Sequence, residues 1–456
     1  MADLVGEERI QELTTTLASV ASRARRRTLW QINSTASGGG VAEMLHGLVG
    51  YLRDLDVDVR WLVIDGDDGF FDLTKRLHNR AHGAESGPAL CEADAAHYEQ
   101  VSRRNAEQVA DLVRPGDLVV LHDPQTAGLA PTLTDLGAIV VWRCHIGSDD
   151  RTPVTESVWR FLRPHLSAAH AYVFTRERYR PSFVPDASTW IIPPSIDPFA
   201  VKNIDLDPAT VDCVLTAAGL LDGSAPDPAR TRFTRPDGTT GEITRRATVV
   251  AETLPAAGEP LILQVSRWDR LKDMAGVMTA FAEHVAPQQD GCLVLAGPAV
   301  DDVSDDPEGA QVYDECRTAW QKLPVALRQR IMLAALPMDD LDENAVMVNA
   351  LQRHASVVVQ KSLAEGFGLT VAEAMWKRRP VVASRLGGIA DQIQTGCGLL
   401  VDPQDLPAFG KAVRQLLDDP VAADAMGEEA HRHVRRSFLA DTQLLHWVRL
   451  FDVLLT

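Results

Sequence analysis

Glu365-Gly-Phe-Gly-Leu-Thr-Val-Ala-Glu373 places two carboxylates eight positions apart. The first sits in a glycine-containing loop, and the second falls one turn inside a helix predicted to open near Leu369 or Thr370. Gly366 and Gly368 let backbone amides come close to a ligand. A helix N-terminus offers N–H groups and a partial positive charge, which suit a phosphate. Carboxylates beside a phosphate need another task, and accepting hydrogen bonds from sugar hydroxyls fits their chemistry. The stretch reads as a sugar–diphosphate pocket: the backbone of Gly366, Phe367, Gly368, Leu369 and Thr370 meets the ligand, with Glu365 for one sugar and Glu373 for another. A capped helix with solvated acids is the plain alternative.

Outward from this stretch the chain alternates short apolar runs with helical ones. Leu261-Ile-Leu-Gln-Val265, Cys292-Leu-Val-Leu-Ala296, Ile331-Met-Leu-Ala334, Ser356-Val-Val-Val-Gln360, Pro380-Val-Val-Ala383 and Gly398-Leu-Leu-Val401 read as strands of one Rossmann-like domain. Earlier runs repeat the pattern: Thr28-Leu-Trp-Gln-Ile-Asn33, Val59-Arg-Trp-Leu-Val-Ile64, Asp117-Leu-Val-Val-Leu-His122, Ala138 to His145, Ala171-Tyr-Val-Phe174 and Trp190-Ile-Ile192. Residues 41–55 carry Val41, Leu45, Leu48 and Leu52 at helical spacing. Residues 1–25 read as a peripheral helix. Pro193-Pro-Ser-Ile-Asp-Pro198 reads as a linker, and Pro236-Asp-Gly238 as the turn of a hairpin insertion. The expected architecture is α/β with two parallel, doubly wound sheets.

A chain of 456 residues exceeds one core. Its hydrophobic content of 45% fits a globular protein, and its net charge of −18 argues against nucleic acid or an anionic membrane as a general partner. An acidic protein that binds an anionic nucleotide must concentrate positive charge locally. The six cysteines are scattered without a C-x-x-C pair, which points to a reduced, metal-free, cytoplasmic protein. No signal peptide and no membrane-spanning apolar run is legible.

Ser266-Arg-Trp-Asp-Arg-Leu-Lys-Asp273 follows a strand directly. Ligands of open α/β sheets bind at the carboxyl ends of strands, so Arg267 and Lys272 are placed to grip a diphosphate. Gly38-Gly39-Gly40 lies between a strand and a helix, where a phosphate is cradled by backbone. An NAD fingerprint is the competing reading there: Gly38, Gly40 and Asp65 fit it, but Glu43 stands where its third glycine belongs. Leu121-His-Asp-Pro-Gln125 and Trp142-Arg-Cys-His145 both end strands, which makes Asp123, Gln125, Arg143 and His145 candidates for sugar contacts. The acidic pairs Asp67-Asp68, Asp149-Asp150, Asp301-Asp302, Asp305-Asp306 and Asp339-Asp340 lack a third ligand at useful spacing and read as solvated loop ends. No metal site is expected.

The Glu365–Glu373 stretch resembles the glutamate-x7-glutamate motif of retaining glycosyltransferases with the GT-B fold, two Rossmann-like domains facing across a deep cleft. Asn33 to Leu45, Leu121-His-Asp-Pro-Gln125, Trp142-Arg-Cys-His-Ile146, Pro193 to Pro198 and Gln264-Val-Ser-Arg267 together resemble the trehalose glycosyltransferring synthases over most of the chain. That resemblance implies retaining glucosyl transfer from a nucleoside diphosphate glucose, ADP- or UDP-linked, to free glucose. It implies an acceptor domain over residues 1–195, a donor domain over 196–436, and a terminal helix near 437–456 that returns to the first domain. It casts Glu373 on the ribose, Glu365 on the donor sugar, Gly39 and Gly40 facing the phosphates, Arg267 and Lys272 on the leaving diphosphate, His145 on the donor sugar and Asp123 on the acceptor. Nucleotide sugar and glucose or trehalose are the implied partners, with no tightly bound cofactor, no catalytic metal, and a homodimer left open. Trehalose phosphorylases share much of this pattern, and a non-catalytic nucleotide-sugar sensor is the alternative from another class.

Overall fold

The computed structural model describes residues 1–24, 27–36, 40–85, 87–300 and 307–456. The chain forms two compact units. The first comprises Met1–Ile196, Glu365–Phe367 and Phe438–Thr456, and the second Asp197–Ala364 and Gly368–Ser437.

In the first unit six strands, β1 (Leu29–Asn33), β2 (Val59–Val63), β3 (Leu118–His122), β4 (Ile139–Cys144), β5 (Ala171–Phe174) and β6 (Thr189–Ile191), form one parallel sheet in the order β2-β1-β3-β4-β5-β6. Side chains alternate between its faces. Trp30, Ile32, Leu121 and Trp142 pack with Phe70, Leu77 and Leu162 from helices on one face. Leu29, Leu118, Val120, Val141 and Val173 pack on the other with Leu45 and Leu52 of helix Gly40–Asp54, Leu13 and Leu17 of helix Glu7–Arg23, and Leu444 and Trp447 of helix Ala440–Leu454. The same two-residue period carries this second face into polar ground at the strand ends. Gln31 follows Leu29, His122 follows Val120, Arg143 follows Val141, and His122 lies beside Arg143 in register.

The hairpin predicted around Pro236-Asp-Gly238 is present as β7 (Arg232–Thr234) and β8 (Thr240–Glu242). The second unit's main sheet contains β9 (Thr248–Val250), β10 (Leu261–Val265), β11 (Cys292–Pro298), β12 (Ile331–Leu336), β13 (Val357–Gln360), β14 (Val381–Ser384) and β15 (Leu399–Val401). Their order is β15-β14-β13-β10-β11-β12-β9. All pairs are parallel except β9, an antiparallel edge on β12. β9 escapes sequence reading because three residues are too few to display a period. Apart from that edge strand both sheets are parallel and Rossmann-like, as the resemblance to the GT-B fold implies. Among the described residues no helix is long and apolar enough to cross a membrane.

Candidate functional site

In the second unit the loops after β10 and β13 are stitched together by one buried amide. Gln264 Nε2 donates to the Lys272 carbonyl at 2.8 Å, and its Oε1 accepts from the Lys361 amide at 2.9 Å. The Leu363 amide donates to the Leu271 carbonyl at 2.7 Å. Lys272 closes the short 3-10 turn Arg270–Lys272, and Arg267 stands exposed one residue beyond Ser266. The turn ends at Asp273, whose left-handed φ of 50° lets its carboxylate cap the next helix through the Gly276 amide at 3.1 Å. Buried Lys361 pairs with the same carboxylate.

Helix Leu369–Trp376 opens where the sequence predicts, behind Gly368 at φ 85°. Thr370 Oγ1 donates to Gln360 Oε1 at 3.0 Å, tying its first turn to β13. Glu373 is 1% exposed. Its Oε1 meets Lys202 Nζ at 3.0 Å, while Oε2 is buried without a hydrogen-bond donor. Buried polar atoms are normally bonded, so Oε2 is suited to accept from ligand hydroxyls. Lys377 steadies the helix end: its Nζ donates to Asn203 Oδ1 at 3.0 Å and Gln352 Oε1 at 2.8 Å. The Trp376 indole also donates to the Asn203 carbonyl at 3.1 Å, which holds the Lys202–Asn203 segment against the helix.

In the first unit the Tyr179 hydroxyl donates to the carbonyls of Glu365 and Gly366, at 2.9 and 3.1 Å. A Cβ at Gly366 would lie 2.7 Å from the His145 carbonyl oxygen, so only glycine allows this approach. The Phe367 ring is spent on packing, edge-on to Phe438 with centroids 5.5 Å apart. His145 follows β4, and its amide donates to Asp123 Oδ1 at 2.7 Å. Asp123 opens a short helix, Asp123–Thr126, at φ 62°. That helix is absent from the sequence reading. Gln125 lies on it, partly exposed.

Burial pushes the Asp123 carboxyl up to about 7, against the His145 amide and Arg143, which draw it down. Burial and the neighbouring Arg143 charge lower His122 to about 3 and hold His145 well below the ordinary imidazole range. Arg143 is 0% exposed, its three guanidinium nitrogens have no acceptor, and burial lowers it to about 10. Asp123, Arg143 and His145 are thus gathered at adjacent strand ends. Gly40 begins helix Gly40–Asp54, while Gly38 and Gly39 lie outside the described residues.

The described acidic pairs have structural partners that the loop-end reading omits. Asp67 caps helix Asp68–Ala81, Asp149 bonds Arg176 at 2.8 Å, and Asp340 caps helix Leu341–His354. Asp301-Asp302 and Asp305-Asp306 lie outside the described residues. Among the described residues no group of three or more His, Cys, Asp or Glu side chains is placed to hold a metal ion. Sequence reasoning missed Lys202 and Gln31. Gln31 left a signal, an amide inside the apolar run of β1; Lys202, in a loop far upstream of its partner, left none.

Residues 246–433 match the family described as glycosyl transferases group 1, and with its two Rossmann-like sheets the protein is a GT-B glycosyltransferase. Residues 31–181 match the trehalose synthase N-terminal domain. A trehalose synthase of Rubrobacter xylanophilus is 36% identical over 451 residues, covering 98% of this chain and 95% of the relative. The chain belongs to the trehalose synthase family, whose chemistry is trehalose-related glycosyl transfer. A trehalose phosphorylase of Pleurotus pulmonarius is 27% identical over 442 residues, but only 55% of that relative is covered. Among solved structures, a UDP-forming α,α-trehalose-phosphate synthase from Burkholderia xenovorans aligns with TM-score 0.67 at 16% identity, over 94% of this chain and 99% of that one. At that identity the likeness speaks for the fold alone.

Proposed function

We propose that the protein moves a glucosyl group from ADP- or UDP-glucose to the C1 hydroxyl of free glucose, giving α,α-trehalose with retention at the donor carbon. The observation that carries this reading is the 36% identity to a trehalose synthase along 98% of the chain. Buried Glu373, with one oxygen on Lys202 and the other without a donor, supports a hydroxyl-binding role for the nucleotide ribose. Glu365, the loop from Gly366 to Thr370, Gly39 and Gly40 hold the donor sugar and phosphates. Asp123, Gln125 and Arg143 meet the acceptor.

As the bond from donor C1 to phosphate oxygen breaks, negative charge grows on the departing diphosphate. Arg267 and Lys272 stabilise that charge, together with helix-start amides, as preorganised donors do. The acceptor hydroxyl attacks from the same face, and its proton passes to the leaving phosphate. No carboxylate is assigned as a covalent nucleophile.

The test is incubation with ADP-glucose or UDP-glucose plus glucose, read by product mass and by the anomeric proton couplings. α,α-Trehalose from the complete mixture supports the proposal. Trehalose cleavage that depends on inorganic phosphate would instead make the protein a phosphorylase, the reading favoured by the Pleurotus likeness. Tight nucleotide-sugar binding without turnover would make it a sensor.

A further inference from the structure

Three side chains of the first unit form a hydrogen-bonded line. Gln31 Oε1 lies 2.7 Å from His122 Nε2, and His122 Nδ1 lies 3.0 Å from His145 Nε2. The two rings are nearly parallel, 13° apart, with centroids separated by 5.3 Å. Gln31 and His122 are buried while His145 is partly exposed, so the line runs from the core to the site.

Proton counting gives the line a direction. An amide oxygen only accepts, so His122 Nε2 carries the proton that bonds Gln31. A neutral imidazole has one N–H and one lone pair. His122 Nδ1 must then accept, and the proton between the rings belongs to His145 Nε2. What remains on His145 is the bare lone pair of Nδ1. Burial and Arg143 favour the neutral form of both rings. Gln31 Oε1 is the amide atom that faces His122, and the amide nitrogen is buried with no hydrogen-bond partner among the described residues.

We infer that Gln31 and His122 are positioning residues that lock His145 as its Nε2–H tautomer, so that Nδ1 meets the sugar as a hydrogen-bond acceptor. This rests on the reading of His145 as a sugar-contacting residue. It narrows the role of His145: the ring takes a hydrogen bond from a hydroxyl and gives none to the leaving oxygen. It therefore selects a sugar bearing a hydroxyl at the contacted position, and discriminates against a fluorine or a hydrogen there alike.

Nitrogen-15 NMR of the histidine rings tests the lock without any substrate. The expected result is a His145 ring protonated at Nε2 and bare at Nδ1 throughout the neutral pH range. A ring protonated at Nδ1, or at both nitrogens, overturns the inference. The kinetic arm compares two variants whose folding is checked by thermal melts. Gln31→Met removes the terminal acceptor and should lower kcat about tenfold or more, with the two His145 tautomers mixed. Gln31→Glu sets a carboxylate beside His122 Nε2, which should draw His122 to the imidazolium, turn its Nδ1–H toward His145 Nε2 and leave His145 protonated at Nδ1. A glutamate variant in which His145 keeps its Nε2 proton means that residue 31 does not set the proton between the rings, which overturns the inference. Failure of wild-type protein to turn over nucleotide sugar would defeat the functional reading alone, because the tautomer is measured independently.

Discussion

Asp123 is held at φ 62° between a strand and a short helix, a left-handed backbone that asparagine tolerates as well as aspartate does. Asp123→Asn should therefore fold, and its amide oxygen can still accept from the His145 amide. In the role proposed for Asp123, replacing the carboxylate removes a hydroxyl acceptor, so the glucose KM should rise, by a cost of about 1–3 kcal/mol. Nucleotide Kd should stay within a factor of two or so; a changed Kd with an unchanged glucose KM would move Asp123 to the donor side. The variant also tests the raised carboxyl. With a folded value of about 7 against an ordinary 3.8, the folded protein keeps a proton that the unfolded chain has lost. Wild-type stability from this group is present at low pH and falls as pH climbs from about 4 to 7, by up to about 1.4 kcal/mol per pH unit. Melting temperatures of variant minus wild type should grow more favourable to the variant between pH 5 and 7 and level off above. A flat difference would mean that Asp123 titrates normally. Lys272→Ala should cut turnover by about 2–4 kcal/mol of barrier while leaving nucleoside binding nearly unchanged, because the charge it meets grows only as the bond breaks. Near-normal kcat would remove Lys272 from the mechanism.

The loop around Gly366 shows how an element is placed from outside itself. Tyr179 holds two of its carbonyls, and the His145 carbonyl leaves no room for a side chain at Gly366. Gly366→Ala must push the loop off the His145 carbonyl, and Tyr179→Phe removes its hydroxyl tether at a cost of about 1 kcal/mol. Both should raise the donor KM, the alanine variant more, since a clash with backbone cannot relax as a lost hydrogen bond can. Equal donor KM values for wild type and Gly366→Ala would show that the loop does not contact the donor. Most strands were legible from sequence because each is a short apolar run of its own: Ala171–Phe174 and Leu261–Val265 have the predicted bounds. The short helix Asp123–Thr126 was not, since four residues after a strand carry no helical period and depend on the left-handed turn at Asp123.

At the scale of the molecule, net charge and function pull in opposite directions. A chain of net charge −18 is proposed to bind a dianionic diphosphate, and Arg267 and Lys272 after β10 are the cations assigned to offset that repulsion. If they supply the positive charge the leaving group needs, turnover should persist in excess EDTA. Loss of activity with chelator, restored by magnesium or manganese, would show that protein cations do not suffice.

Local patterning by itself determined that the chain is α/β, with two successive sets of parallel strands and a helix starting near Leu369 or Thr370. It also singled out Asp123, Arg143 and His145 as polar groups at strand ends. Periods of two and of three to four residues are written in neighbouring positions, so they survive without knowledge of the fold. Tertiary structure alone decided which atoms are satisfied. Lys202 reaches Glu373, and Gln31 reaches His145 through His122, because sheet order and helix docking bring distant segments within 3 Å. The burial that lifts Asp123, leaves Arg143 without an acceptor and keeps two imidazoles neutral is a property of the assembled strand ends, where water is displaced and unlike segments supply the partners.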